Sequence, residues 1–272
     1  MTNTSENISA VAQHVADRYA SISLVETVAL AGSRTTPYAG PESDIDLYVY
    51  SRSILPIGLR MEVAGGNASQ AEIDNQFWEP GDEWVEGSCH VDVMFRTQRW
   101  LEDLLDRTLE RHEASVGYST CLWHNVLTSR VLFDRSGWFS ALQARARQPY
   151  PWQLKGAIIS KNYPILRDTL SSYRHQLETA LGRGDLVSVN HRVAAFSASM
   201  VDILFAVNEL PHPGEKRLLE ILEAHCKKLP RQFREDLSSL LRASGTGHGS
   251  LLEILDLLVD RLEELLRSEG LL

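Results

Sequence analysis

Residues 30–47 of the 272-residue chain read Leu30-Ala-Gly-Ser-Arg-Thr-Thr-Pro-Tyr-Ala-Gly-Pro-Glu-Ser-Asp-Ile-Asp-Leu47. The stretch begins at the end of a short apolar run, residues 26–31, which Gly32 and Ser33 interrupt. It ends in a β-branched and aromatic run, residues 46–50, which is typical of a strand. The pattern therefore predicts two strands joined by a short polar connection.

Two acidic residues open the second of these strands. Because residues i and i+2 of a strand project from the same face, the carboxylates of Asp44 and Asp46 converge, with Cβ atoms ~6–7 Å apart. Like charges at that distance repel each other unless a cation lies between them, and Mg²⁺ suits carboxylate and phosphate oxygens best. Asp92 alternates with two valines in a third predicted strand, 89–95, and would complete a three-carboxylate site. Three carboxylates predict two Mg²⁺ ions, one polarising an attacking hydroxyl and one holding a triphosphate.

The residues ahead of the acidic pair have the properties of a phosphate-binding turn. Gly32 lets the backbone approach a ligand closely, and the N–H groups that follow it form a small anion-binding concavity. The Ser33 hydroxyl adds one donor, and Ser43 is placed to hydrogen-bond an aspartate. We therefore expect Gly32 and Ser33 to bind the phosphates of ATP or another nucleoside triphosphate.

This combination of motifs is similar to that of a known superfamily. Gly32-Ser33, ten further residues, Asp44-Ile45-Asp46 and the later strand residue Asp92 resemble the nucleotidyltransferases of the DNA polymerase beta superfamily. The small size and the helical second half look like the bacterial minimal and antibiotic nucleotidyltransferases, such as the kanamycin and lincosamide enzymes. The resemblance is close over residues 30–47 and at Asp92, and elsewhere in the first 135 residues it extends only to the order of elements.

The chain differs at one point in the turn from the family that it resembles. Relatives often continue Gly-Ser-Arg with Ala-Arg-Gly, where this chain has Thr35-Thr36-Pro37. Because no basic side chain stands at Thr36, Arg34 would have to supply that phosphate contact.

The resemblance implies transfer of a nucleoside monophosphate, first of all AMP from ATP, to a hydroxyl of a small acceptor such as an aminoglycoside or a lincosamide. Asp92 would take the hydroxyl proton, or a carboxylate of the helical domain would replace it as the base. Asp202 or Glu209 would contact the acceptor, and Lys216 the triphosphate. Two alternatives stay open: a toxin-type nucleotidyltransferase that modifies tRNA or a protein, and a non-catalytic nucleotide-binding module. The presence of both Asp44 and Asp46 argues against the non-catalytic module, because a protein that only binds nucleotides could have lost either carboxylate.

The charge of the chain bears on its partners. The formal net charge is −9, and the first 96 residues hold 14 acidic and 5 basic residues, whereas the remaining 176 hold 22 of each sign. An acidic chain lacks the basic surface that binds phosphate backbones, so we expect no nucleic-acid partner and favour a small, cationic acceptor. The acidic segment around Trp78 and Trp84, which includes Glu79, Asp82, Glu83 and Glu86, would attract such an acceptor or form a solvated loop. We interpret His90 as a packed or solvated residue.

Periodicity predicts the domain organisation. A helix over about 6–21 with the apolar stripe Ile8, Val11, Val15 and Tyr19 precedes the strands, and a helix follows residue 100. Residues 58–87 read as a hairpin or loop excursion. Beyond residue 135 helical patterns take over, at roughly 151–181, 186–210, 215–228, 231–243 and 249–268. The predicted fold is α/β (α+β): a catalytic domain, 1–135, with a small mixed sheet, followed by an all-α helical bundle, 136–272.

The remaining features concern compartment and assembly. No apolar run approaches the ~20 residues of a membrane span and no leader sequence is visible, so we expect a cytoplasmic protein with no membrane partner. Three dispersed cysteines predict reduced thiols. The leucine-rich stretch 251–266 fits core packing or an oligomer contact, which leaves a homodimer open.

Overall fold

A computed structural model describes residues 2–36, 40, 43–65, 68–76, 79–246 and 250–272, and the side chains among them except those of 2–8, 68 and 69. The chain divides into two compact units. The first unit comprises Met1–Asp106 and Asn125–Gln148, and the second comprises Arg107–His124 and Pro149–Leu272. The predicted boundary at 135/136 stays a prediction.

Helices and strands alternate in the first half of the chain, and helices alone follow. The elements are α1 Thr2–Ala20, β1 Val25–Leu30, a 3-10 turn Gly32–Thr35, β2 Ile45–Ser51, α2 Ile57–Ala64, β3 Ala68–Asn75, β4 Gly81–Glu86, β5 Cys89–Thr97, α3 Gln98–Leu109, α4 Cys121–Thr128, β6 Arg130–Asp134, α5 Trp138–Ala146, α6 Trp152–Arg167, α7 Tyr173–Gly182, α8 Leu186–Val207, α9 Leu218–His225, α10 Phe233–Ser244 and α11 Leu251–Ser268.

The first unit is built on a six-stranded sheet with the order β3-β4-β5-β2-β1-β6. Strand β2 pairs with β1 in the antiparallel sense and with β5 in the parallel sense. The other described neighbours pair antiparallel. A parallel neighbour requires a crossover connection, and here α2 and the hairpin β3–β4 supply it. The predicted excursion at 58–87 is therefore a helix and two strands, one of which lies beside β5.

Alternation along the strands separates a buried face from a polar one. Val91 and Val93 of β5 are fully buried, whereas Asp92 between them is only partly buried, as the sequence pattern predicts. Val15 and Tyr19 of α1 pack into the same core as the strand valines. The aspartates of β2 and β5 thus lie on a face that the apolar core of this unit does not occupy.

The second unit has its own apolar core around α8, whose last nine residues, 199–207, are all buried. Six side chains of α11 are buried in that core: Leu251, Leu255, Leu258, Val259, Leu262 and Leu266. Core packing therefore accounts for most of the leucine-rich stretch. The predicted helix over 151–181 is two helices, because the chain leaves the helix after Arg167 and Ser172 caps the next one by accepting from the His175 N–H. All three cysteines are free thiols.

These observations confirm the predicted fold class, a mixed α/β domain with a small mixed sheet together with a helical region. No helix in the described part of the chain is both long and apolar enough to cross a membrane.

Candidate active site

Strand register brings three carboxylates into one row. Asp46 of β2 lies opposite Asp92 of β5, and Asp92 lies opposite Glu83 of β4. Side chains at paired positions of adjacent strands project from the same face of a sheet, with backbones ~4.8 Å apart. We call Glu83, Asp92 and Asp46 the carboxylate row. Asp44 lies two residues before Asp46, at the entrance of β2.

Glu83 is the member of the row that sequence reasoning missed as a metal or catalytic candidate. The sequence predicts Glu83 only as one acid of a charged segment, in a stretch that reads as a hairpin or loop. Burial alternates along β4, which is typical of a strand. Asp82, Trp84 and Glu86 are buried, whereas Glu83 and Val85 are only partly buried. That signal was hidden because the buried face of β4 bears two carboxylates.

His90 is exposed, which agrees with its interpretation as a solvated residue, and it lies beside the carboxylate row. It lies two residues before Asp92 on β5, and its Nδ1 is 3.5 Å from Oδ1 of Asp44. Its Nε2 is 3.7 Å from Oε2 of Glu83. The imidazole therefore lies between a carboxylate of β4 and one at the start of β2.

The row concentrates negative charge. Burial, together with the neighbouring carboxylates Glu83 and Asp46, raises the pKa of Asp92 to about 6, and His90 opposes this rise. A raised carboxyl pKa means that the charged form lacks compensation at neutral pH. A divalent cation would provide that compensation.

The donor set tests which cation fits. In the described part of the chain, no three His, Cys, Asp or Glu side chains are arranged so that together they could hold a metal ion. Mg²⁺ uses one or two protein carboxylates and completes its shell with water and substrate phosphate oxygens, so an open row of oxygen ligands suits it. The assignment of Asp44, Asp46 and Asp92 as ligands of Mg²⁺ therefore stays a prediction.

The glycine turn abuts the row. Gly32 has φ +63°, and a Cβ at this position would collide with the carboxylate of Asp46. The Ala31 N–H donates to the Asp46 carbonyl at 2.9 Å, which fixes the turn against β2. Only glycine satisfies both the left-handed backbone and the close approach. The sequence-predicted Gly32 and Ser33 thus begin the 3-10 turn directly beside a predicted metal ligand.

Arg34 and Ser43 hold the connection between the turn and β2. The Arg34 guanidinium donates to the Asp44 carbonyl at 3.3 Å and to the Ser43 carbonyl. The Ser43 hydroxyl accepts from the Gly40 N–H at 3.0 Å. These contacts fix the approach to the acidic pair. The predicted phosphate contact of Arg34 stays a prediction.

A cavity of about 340 Å³ opens beside the row. Its lining includes Glu83 and His90 from the site together with Gln70, Glu72 and Val85. It is therefore polar, with two carboxylates, and it adjoins the carboxylates that would hold the metal.

The other acidic residues of this segment have structural roles. Asp82 is fully buried and accepts from the Arg60 Nε at 3.0 Å. Glu86 pairs with Arg18 and accepts from the Trp84 indole N–H at 3.0 Å. The solvated-loop interpretation is wrong for Asp82 and Glu86, and the buried Trp84 offers no surface on which an acceptor could stack. Trp78, predicted with it, lies outside the described residues.

The predicted residues of the helical half occupy different environments within their own unit. Asp202 is buried, and both of its oxygens accept from Ser119, so it has no access to a dissolved acceptor. Glu209 pairs with Lys155 at 2.5 Å. Lys216 is exposed in the turn before α9, and its predicted contact with a triphosphate stays a prediction.

Comparisons with known proteins add a fold-level similarity. No protein-family model matches the chain, and no curated protein matches its sequence. The chain is similar in structure to a nucleotidyltransferase-like protein from Exiguobacterium sibiricum 255-15, with a TM-score of 0.42 and 14% identity over 93% of this chain and 72% of that one. A similarity of this degree does not establish a family.

Proposed function

We propose that this protein is a Mg²⁺-dependent nucleotidyltransferase. It would transfer a nucleoside monophosphate, AMP from ATP first of all, to a hydroxyl of a small-molecule acceptor such as an aminoglycoside or lincosamide, and release pyrophosphate. The observation that carries the proposal is the register of Asp46 with Asp92 on parallel strands, with the glycine turn packed against Asp46. This arrangement supports the proposal because the turn would bind phosphates directly beside the carboxylates that would bind Mg²⁺.

Each part of the site would have a defined task. The N–H groups after Gly32 and the Ser33 hydroxyl would bind the triphosphate, and Arg34 would keep the Ser43–Asp44 backbone in place beside them. Asp44, Asp46 and Asp92 would hold two Mg²⁺ ions. Bound Mg²⁺ would neutralise the triphosphate and polarise the attacking hydroxyl. Catalysis would then depend mainly on positioning and charge stabilisation.

The reaction balances as a single displacement. The acceptor oxygen forms a bond to the α-phosphorus while the bond from that phosphorus to the bridging oxygen of the β-phosphate breaks, and pyrophosphate leaves with that oxygen. The hydroxyl proton passes to a carboxylate. Asp92 suits this role by its position, because it lies opposite Asp46 in the register of β2 and β5.

The cavity beside the row fits the acceptor. Glu72 and Glu83 give it negative charge, and its volume of about 340 Å³ lies at the lower end of the range for small-molecule sites. A cationic acceptor with a hydroxyl group would be drawn to it, because a cleft of one charge sign concentrates ligands of the other.

Label transfer tests the proposal. The wild-type protein is incubated with each α-labelled nucleoside triphosphate and Mg²⁺, against panels of aminoglycosides, lincosamides, tRNA and cell lysate. We expect label on a small molecule, and none with the Asp44→Asn/Asp46→Asn variant. The matched control is Glu62→Gln, an exposed acidic residue of α2, which should transfer as well as wild type.

Three outcomes would redirect the assignment. Equal transfer by wild type and the double variant would overturn the roles of Asp44 and Asp46. Label on tRNA or on a protein would favour the toxin-type alternative. Stabilisation by triphosphates without any need for Mg²⁺, and without transfer, would favour the non-catalytic module.

A further inference from the structure

The helical unit contains a second cavity, of about 570 Å³, which we call the basic groove. It is lined by Arg107, Glu113, Ser115, Val116 and Lys161, with two alanines completing the wall. All of these residues belong to the second unit, and none belongs to the carboxylate row. The proposed transferase reaction assigns no role to this cavity.

Cations outnumber anions at the basic groove. The Arg107 Nε donates to one oxygen of Glu113 at 2.8 Å, and the Arg111 Nε donates to the other at 3.0 Å. Lys161 makes no ion pair with any carboxylate in the part of the chain that the structure describes. The lining of the groove therefore has two cations, Arg107 and Lys161, and one anion, Glu113, in a chain whose net charge is −9.

Two buried polar residues hold one wall of the groove in place. Asn162 of α6 accepts from the Gly117 N–H at 3.0 Å and donates to the Ser115 carbonyl at 3.0 Å. Asp202 of α8 accepts from the Ser119 N–H at 3.0 Å and from its hydroxyl at 2.6 Å. The loop 115–119 is therefore anchored to two helices, and a preorganised wall lowers the entropic cost of binding.

We propose that the basic groove binds a small phosphate-bearing anion through Arg107 and Lys161, and that Glu113 is an internal carboxylate that this anion displaces. Exposed ion pairs such as those of Glu113 are weak, so displacement costs little. A monocarboxylate would replace Glu113 charge for charge, whereas a phosphate brings about two negative charges and more acceptor oxygens for guanidinium groups. The excess of positive charge therefore selects phosphate over carboxylate.

Calorimetric titration of the full-length protein with pyrophosphate tests this proposal. EDTA is present, so that the carboxylate row, without a divalent cation, repels the probe. We expect binding that weakens as salt is added. Lys161→Gln should weaken binding about fivefold, and Glu113→Gln should tighten it about fivefold, as expected for the loss or gain of one exposed ion pair.

Glu110→Gln is the matched control for Glu113→Gln. It changes the net charge equally and lies three residues away, but Glu110 does not line the groove. Equal tightening by the two variants, or unchanged affinity of Lys161→Gln, would overturn the proposal. A parallel titration with AMP distinguishes the sources of the phosphate: binding of AMP with the same variant pattern supports a nucleotide ligand, and binding of pyrophosphate alone supports an inorganic one. No turnover is measured, so the result is independent of the transferase assay.

Discussion

The carboxylate row should cost the protein stability when no cation is bound, and Asp92→Asn should relieve that cost. The substitution removes one charge and nearly preserves shape. Burial and the carboxylates of Glu83 and Asp46 raise the pKa of Asp92 from an ordinary 3.8 to about 6. A shift of this size corresponds to about 3 kcal/mol for a fully shielded group. Asp92 is only partly buried, so solvent screening reduces the expected gain from Asp92→Asn to about 1 kcal/mol.

The direction of the pKa shift of Asp92 determines the pH range in which its charge lowers the stability of the folded state. The folded-state pKa of Asp92 lies above the unfolded value, so the charged carboxylate destabilises the folded state fully above about pH 6. As the pH falls from about 6 to about 4, the folded state takes up the proton and the penalty disappears. The stability advantage of Asp92→Asn should therefore be present at about pH 8 and absent below about pH 4.

Urea unfolding of wild type, Asp92→Asn and the control Glu62→Gln at low salt, with and without Mg²⁺, measures these differences. Mg²⁺ should stabilise wild type more than Asp92→Asn, because the cation binds the charge that the substitution removes. Asp92→Asn should also lose transferase activity while gaining stability, the trade-off expected of a functional charge cluster. A variant less stable than wild type at about pH 8, or equal stabilisation of both proteins by Mg²⁺, would refute the reasoning.

Three further changes probe the site and the fold. Gly32→Ala should cost about 1–2 kcal/mol of unfolding free energy, because the position has a left-handed φ and a Cβ there would collide with the carboxylate of Asp46. It should also abolish label transfer. The control Gly58→Ala in α2, with open space around it, should be neutral or stabilising. Burial raises the pKa of Asp202 to about 6, so wild type should gain about 1 kcal/mol of stability relative to Asp202→Asn as the pH falls from about 7 to about 5, measured by urea unfolding. Arg60→Met should cost about 3–5 kcal/mol, because it leaves the buried Asp82 without its guanidinium, and adding Asp82→Asn should recover part of that loss.

Each of these changes has a clear contrary result. Equal costs of the two glycine substitutions would show that the close approach at Gly32 is not needed. A constant difference between wild type and Asp202→Asn across the pH range would exclude titration of that carboxyl. A double variant at Arg60 and Asp82 no more stable than Arg60→Met would mean that the unpaired charge is not the source of the loss.

The alternation of polar and apolar residues predicted which face of each strand is buried, but it did not predict which strands lie side by side in the sheet. The alternation of Asp92 with valines placed it on the polar face, and that placement is what the structure has. Its pairing with Asp46 is a parallel contact across a long connection, and no short-range signal fixes such a register. The expectation that these two aspartates meet came from pairing the predicted polar faces of two strands, and the resemblance to a known motif then agreed with it.

Buried charge explains why the sequence leaves a hairpin and a loop as alternatives for residues 58–87, where the structure has the hairpin β3–β4. Strand β4 reads Gly81-Asp-Glu-Trp-Val-Glu86, and a segment with four polar or small residues in six is ordinarily placed in a loop. It forms a strand because Arg60, distant in sequence, compensates the buried Asp82. Sequence patterns assume that charges face solvent, so a strand whose inner face carries an ion pair escapes them.

The ion pairs of the arginines among the first 96 residues show which acidic residues there are compensated by a positive charge. Four of the five basic residues among the first 96 pair with carboxylates outside the carboxylate row: Arg18 with Glu86, Arg52 with Glu26, Arg60 with Asp82 and Asp74, and Arg96 with Glu79. The fifth, Arg34, donates to the carbonyls of Ser43 and Asp44. The described ion pairs therefore neutralise acids of the scaffold, while Asp92 keeps a pKa raised by its acidic neighbours. A row of carboxylates whose charge is not fully compensated is the property that a Mg²⁺-triphosphate and a cationic acceptor would both require.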